Sequence, residues 1–246
     1  AKADELMTLL DQLEAARASR ETTRDRLSAA SLARLTAPER TAGEYQNDAD
    51  FAVSRLPVLT TRSHQIKSLR GTILNLAVRG KVVGQDAREE PATKLLETLS
   101  KKKQDLAESK SIRLGRPLPP ITTEKTLFAP PQGWIWVHAQ DIALKISDGV
   151  HQKPHYVASG VPFVTVKNLT EGRGISFRDT KFITLSDHQE FIKRTHPERG
   201  DVLITKDGTI GVTRVVDTDM EFSIFVSVAL IKMIDCELAP FLSMCL

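Results

Sequence analysis

No glycine or proline interrupts residues 3–35, ADELMTLLDQLEAARASRETTRDRLSAASLARL. Such a run, rich in Ala, Leu, Arg and Glu, orders itself as one long helix. Its apolar residues fall at Leu6, Leu9/Leu10, Leu13 and Ala16, then at Leu27, Ala30/Ser31 and Leu35. Steps of three and four are the seam of a coiled coil, and the polar stretch SRETTRDR breaks that seam in the middle. At ~1.5 Å per residue such a helix spans ~50 Å. That is too long to wrap one small core and long enough to serve as a strut. Thr36-Ala37-Pro38 stops it.

Residues 36–62 are polar and unpatterned and read as a linker. A second helix is predicted over about 63–79, with Ser63 as its N-cap and Gly80 at its end. Ile66, Leu69, Ile73 and Leu76 form an a/d stripe along it. A third is predicted over about 91–110, with Pro91 in its first turn, Leu95, Leu99 and Leu106 on one side, and Lys101, Lys102 and Lys103 toward solvent or phosphate. The Pro-rich stretch GRPLPPI then reads as a hinge. The expected organisation is a helical spacer over 1–115, a hinge over 116–125 and a second domain over 126–246.

After Pro131 the pattern changes to period two. WIWVH, VPFVTV, ISF, KFITL, DVLIT and IGVTRVV are short β-branched runs bounded by Gly, Asp and Asn, and FSIFVSVALIKMI reads as one or two buried strands. SDHQEFIKRT reads as one short helix capped by Ser186. The fold class is therefore α+β: a long antiparallel, coiled-coil-like helical spacer followed by a mixed, mainly β domain.

Charge divides the same way. Residues 1–125 hold 22 Lys/Arg against 17 Asp/Glu, and residues 126–246 hold 12 against 14. The basic excess permits nucleic-acid binding and is equally what a solvated helix surface carries. No run approaches the ~18 apolar residues of a membrane span, and the charged N-terminus lacks the apolar centre of a secretion signal. The chain also lacks an initiating Met, which points to processing or excision from something longer. Cys236 and Cys245 have no CxxC partner, so reduced, partly buried thiols in a cytoplasmic protein are expected.

Two stretches invite chemistry. DGVHQKPHY places Asp148, His151 and His155 together, as a metal site would. An i, i+4 histidine pair converges only on a helix; Gly149 and Pro154 argue against one, and no fourth ligand is near. KDGTIG puts Lys206 and Thr209 beside a glycine turn, suited to phosphate, while an ordinary hairpin turning at Asp207-Gly208 explains the glycine as well. It is not a Walker loop. No G-x-S-x-G elbow and no G-x-G-x-x-G opening a helix is present, so no catalytic centre is visible.

The order of LRGTILNLAVRGKVVGQDAREEPATKLLETLSKKK, PLPPI, PQGWIWVHAQDIALKISDGVHQKPHY, GVPFVTVKNLTEGRGISF, KFIT and GDVLITKDGTIGVTRVV resembles the specificity subunit of Type I restriction-modification systems, from about Leu69 onward. ADELMTLLDQLEA resembles the helix that follows a first target-recognition domain of that family. The resemblance implies a non-catalytic subunit of bacterial defence. Its recognition domains read the two halves of a split target in double-stranded DNA, its helices hold modification subunits, and a restriction subunit joins for cleavage. S-adenosylmethionine, ATP and Mg are then expected only on the partners, and no cofactor or metal on this chain. Family members carry two recognition domains over roughly twice this length. The chain therefore reads as a central region plus one domain, ending early at APFLSMCL, and dimerisation through the stripe at Ile66, Leu69, Ile73 and Leu76 would restore two readers. The other readings are a truncated scaffold remnant that binds only partner subunits and an enzyme of unseen type.

For a recognition domain of net −2, contacts must come from a few donors on loops. The candidates are His151, Lys153, Lys167, Asn168, Lys193, Arg194, Lys206 and Thr209. Asn168 is the expected adenine reader, since Asn pairs bidentately with adenine N6/N7, and the lysines are expected on phosphates.

Overall fold

The computed structural model describes residues 2–37, 42–86 and 88–246. Pro38, read as the stop of the first helix, lies outside the described residues. The chain divides into two compact units, Ala1–Gly84 and Gln85–Leu246.

The first unit is helical: α1 (Lys2–Thr36), α2 (Ala42–Ser54), α3 (Leu56–Leu59) and α4 (Ser63–Val78). Its core is Leu32, Leu35, Ala52 and Leu76, flanked by Tyr45, Ala49 and Leu69. The segment read as a linker is thus largely helical. Tyr45, Ala49 and Ala52 repeat by four and three and pack on α1 and α4, while Gln46, Asn47 and Asp50 between them face outward and conceal the stripe. Gln65 Oε1 accepts from Arg62 N at 3.1 Å, so Arg62 rather than Ser63 is the N-cap of α4.

Direction follows from the contacts. Arg62 pairs with Glu21, His64 with Asp25 at 2.9 Å and Gln65 with Asp25 at 2.7 Å, at sequence separations of 41, 39 and 40. A constant separation means that α4 runs parallel to α1. The antiparallel neighbours of α1 are α2 and α3: Arg34 meets Asp48 of α2 at 3.0 Å, and Ser28 Oγ reaches Leu59 O of α3 at 3.5 Å. The a/d stripe of α4 is divided. Leu76 is buried and Leu69 packs on the core, whereas Ile66 and Ile73 are 42% and 47% exposed. Along the first part of α1, Leu6, Leu9, Leu10 and Leu13 are all exposed.

The second unit opens with α5 (Ala92–Glu108) and α6 (Ala139–Ile142). The expected boundary at 116–125 is not where the units part. Lys102 Nζ donates to Ile234 O at 3.0 Å, Lys103 Nζ donates to Gln140 O, and Leu99 is buried, so α5 belongs with the sheets. The Pro-rich stretch belongs there too: Gln140 Nε2 donates to Arg116 O, and His138 Nε2 lies 2.9 Å from Pro119 O. Two of the three consecutive lysines are therefore tied to main-chain carbonyls instead of standing free for solvent or phosphate.

The chain continues through β1 (Ala143–Asp148), β2 (Tyr156–Val157), β3 (Val161–Val164), α7 (Val166–Thr170), β4 (Lys181–Ile183), α8 (Leu185–Ile192), β5 (Val202–Thr205), β6 (Thr213–Val215), β7 (Ser223–Ile224), β8 (Val228–Met233) and α9 (Ala239–Cys245). One four-stranded sheet has the order β1-β8-β5-β6, all antiparallel; the other has the order β2-β4-β3-β7, with β3 and β7 parallel. Alternation along β8 builds two layers. Val228 and Leu230 join Val164, Leu169, Leu203 and Phe222, while Ile231 and Met233 face Ala239 and Leu242 of α9. Phe163, Ile183 and Phe191 close the second sheet against α8.

Several expected strands are not strands. WIWVH is irregular, with Trp136 Nε1 donating to Phe128 O at 3.1 Å. ISF has no ladder, but Ile175 and Phe177 pack on the core. VPFVTV is extended only to Val164, after which Val166 begins α7. The cap of α8 is Thr184, whose Oγ1 accepts from Asp187 N at 3.1 Å, and not Ser186. Both cysteines are free and exposed.

Candidate nucleic-acid interface

The end of β1 organises one polar surface. Asp148 pairs with Ala229 of β8, and Ala229 pairs on its other side with Ile204 of β5. From its place at the strand end the Asp148 carboxylate reaches Lys206 Nζ at 2.7 Å, and His151 Nε2 lies 4.0 Å from the same oxygen. The Lys206 N–H donates to Ser227 O at 2.9 Å, which holds the start of its loop to β8.

Beyond Asp148 the chain runs close to the main chain before β8. Gly149 N donates to Val228 O at 2.9 Å, Val150 N to Ile224 O at 3.0 Å, and Val226 N to Val150 O at 3.0 Å. A Cβ at position 149 would lie 2.3 Å from Phe225 O, closer than any side chain tolerates, so only glycine allows this approach. Pro154 is buried, and His151 and Lys153 are exposed. No ion pair or hydrogen bond of the Lys153 side chain occurs among the described residues.

Residues 193–195 lie against the other side of β1. Thr195 Oγ1 donates to Asp148 O at 2.8 Å and lies 3.2 Å from Ser147 Oγ, and Lys145 Nζ donates to Arg194 O. Arg194 is exposed, and Lys193 is paired with Glu190. Lys145, not among the residues singled out in the sequence, is exposed because the register of β1 against β8 shifts between Ala143 and Lys145.

The β5–β6 connection is longer than the two-residue turn expected at Asp207-Gly208. Thr205 N donates to Val212 O at 3.1 Å, and Gly211 N to Thr205 O at 2.9 Å. Gly208 and Gly211 have φ of 68° and 82°, a region costly for other residues. The loop carries Thr209 exposed near its tip, beside Ile210.

The structure thus brings His151 and Lys206 together at Asp148, and sets Lys193 and Arg194 beside the same strand. Lys167 stands on α7 in a different set, 3.6 Å from Glu171 and 4.0 Å from Asp179. Asn168 is not a reader. It is 4% exposed, its Oδ1 accepts from Thr165 N and Oγ1, and its Nδ2 donates to Ser176 O and Thr180 Oγ1 at 2.8 Å each. Its hydrogen-bonding capacity is used internally, and no edge remains for a base.

Asp148 and His155, two of the residues of the metal reading, have separate partners. Asp148 holds an ammonium, and His155 is turned to Asp187: its N–H donates to Asp187 Oδ2 at 2.7 Å, and Nδ1 lies 3.2 Å from the same atom. That backbone N–H is the chief reason the Asp187 carboxyl lies below its ordinary range. Among the described residues no group of three His, Cys, Asp or Glu is disposed to hold a metal ion.

One unit of the chain is helical, and the other, built on two sheets, presents cations from its loops. No family model matches the chain. Over 223 residues it is 27% identical to the EcoAI specificity subunit of a Type I restriction enzyme from Escherichia coli, covering 89% of this chain and 36% of that protein. It is 28% identical over 221 residues to the EcoEI specificity subunit from the same organism, covering 86% and 36%. Along most of its length the chain is thus similar to two Type I restriction enzyme specificity subunits. It spans about a third of the length of these curated relatives. Among solved structures, the HsdS subunit from Thermoanaerobacter tengcongensis matches 72% of this chain and 42% of its own, at 18% identity and a TM-score of 0.34.

Proposed function

We propose that the chain recognises DNA for a Type I restriction-modification complex and does no chemistry itself. The second unit reads one half of a split target in double-stranded DNA. The first unit docks modification subunits through α1 and α4, and a restriction subunit joins that assembly. The observation that carries this reading is the similarity to specificity subunits over nearly nine-tenths of the chain. The cations gathered around β1 support it: Lys153 and Arg194 are exposed and suited to phosphate, and His151 and Lys206 stand where a groove edge would meet them. Lys167, Lys193 and Thr209 remain outer contacts of the same reading. S-adenosylmethionine, ATP and Mg belong to the partner subunits in this assignment. Ile66 and Ile73, left exposed on α4, are the residues for a partner helix or a second copy.

Fluorescence anisotropy of the purified chain against duplex DNA at a series of salt concentrations tests the DNA role. Each phosphate contact contributes about 0.9 to the log–log salt slope. Lys153→Ala and Arg194→Ala should each flatten that slope by about one such step. Salt-independent or absent binding would favour the scaffold reading, in which the helices bind partner subunits and no DNA is engaged.

A further inference from the structure

Lys206 is the cation best placed at the end of the sheet, and it is already paired with a carboxylate. The pair spans the ends of β1 and β5 with β8 between them, and Ala229, bonded to both strands, stands at the crossing. Asp148 is fixed by its ladder and by Thr195 on its main-chain oxygen, and Lys206 by Ser227. Both side chains are about one-third exposed, 38% for Lys206 and 35% for Asp148, so neither is sealed from a ligand.

We propose that Asp148 is a discrimination residue: it withholds Lys206 from phosphates of any sequence and is itself satisfied only by a base that offers an exocyclic amine in the major groove. On random duplex, moving Lys206 to a phosphate exchanges one anion for another and leaves the Asp148 carboxylate beside a polyanion. The contact therefore adds little to non-specific affinity. On a matching duplex, cytosine N4 or adenine N6 donates to Asp148, which offsets the loss of the lysine and frees Lys206 for the backbone. His151, 4.0 Å from the same oxygen, is the neighbouring group able to take part in that exchange. The inference rests on the DNA-binding reading above and gives it an element directed against the wrong sequences.

The test uses the full chain as wild type, Asp148→Asn, Lys206→Ala and the double variant. The probes are a randomised pool of duplexes and a duplex enriched from that pool by the wild-type chain. Asp148→Asn should bind the random pool several-fold more tightly, with a salt slope steeper by about 0.9. It should also lower the ratio of enriched to random affinity by that same several-fold factor, because the asparagine Oδ1 still accepts from the exocyclic amine while the random pool gains. Lys206→Ala alone should bind the random pool more weakly than wild type, since it leaves the Asp148 carboxylate unpaired beside the polyanion, and the double variant should lose the gain of Asp148→Asn. Thermal melts of the four chains confirm that each is folded; asparagine keeps the shape of the residue, and the Thr195 bond is to the main chain. If wild type binds and Asp148→Asn changes neither slope nor ratio, the role of Asp148 is overturned while the DNA reading stands. If no chain binds duplex in a salt-dependent way, both are overturned.

Discussion

The Asn168 amide donates to the Ser176 carbonyl at 2.8 Å and so ties α7 to the segment that leads into β4. The residue that looks most like a base reader is a buried strut. Asn168→Ala would leave Thr165 N, Ser176 O and Thr180 Oγ1 with lost partners in a buried setting, and should cost roughly 3 kcal/mol in urea unfolding. Molecules that remain folded should keep the wild-type ratio of enriched to random DNA affinity; a changed ratio at unchanged stability would restore a reading role.

The stripe on α4 serves two ends. Leu76→Ala removes a buried side chain from the core of the first unit and should destabilise it by about 3 kcal/mol. Ile73→Ala, at an exposed position, should change stability by no more than ~0.5 kcal/mol. It should instead reduce co-purification with modification subunits, or shift the oligomeric state in light scattering if a second copy is the partner.

Lys232 holds the most buried carboxylate of the second unit. Its Nζ lies 3.0 Å from Asp201 Oδ2 and also pairs with Glu198. Burial pushes the Asp201 carboxyl up, against the hydrogen bonds from Glu198 N, Lys232 and Met233 N. Burial alone would lower the Lys232 ammonium, and its bonds to Glu198 and Asp201 outweigh that and raise it. Lys232→Met leaves Asp201 charged and unpaired, at a cost of roughly 3 kcal/mol near pH 7. A carboxyl raised by folding favours the folded state once protonated. The deficit of the variant should therefore shrink as pH falls through the raised value. In wild type, Glu198, lowered chiefly by its bond to Lys232, acts with the opposite sign: its contribution is present above the ordinary carboxylate range and is lost as pH falls. Unfolding midpoints from pH 7 to 4 read both effects, and a deficit that grows toward acid would contradict the assignment.

Gly149 is the tightest backbone approach beside the candidate interface. Gly149→Ala would force its Cβ into Phe225 O and Ile224 O, 2.3 and 2.4 Å away. The expected result is a loss of roughly 2 kcal/mol or more, with hydrogen exchange of Val150 N and Val226 N accelerated.

Periodicity carried much of this fold. The unbroken run over 3–35 could order only as a helix, and the β-branched run after Ser223 is buried on both faces of β8 because its residues alternate between two cores. Short elements with mixed faces were not legible. Tyr45, Ala49 and Ala52 look like linker until Leu32 and Leu76 are placed beside them. WIWVH has strand composition, but its Trp136 indole is satisfied by Phe128 O, with no ladder partner. Lys102 and Lys103 read as a solvated face because their acceptors, Ile234 O and Gln140 O, are remote in sequence. The candidate interface divides in the same manner. Its loop residues could be named from composition, since turn residues and exposed cations are local properties. That Asn168 points inward, and that Asp148 holds Lys206, depends on which strands lie side by side. Pairing of β1 and β5 with β8 joins residues far apart in the chain, and no local pattern encodes that neighbourhood.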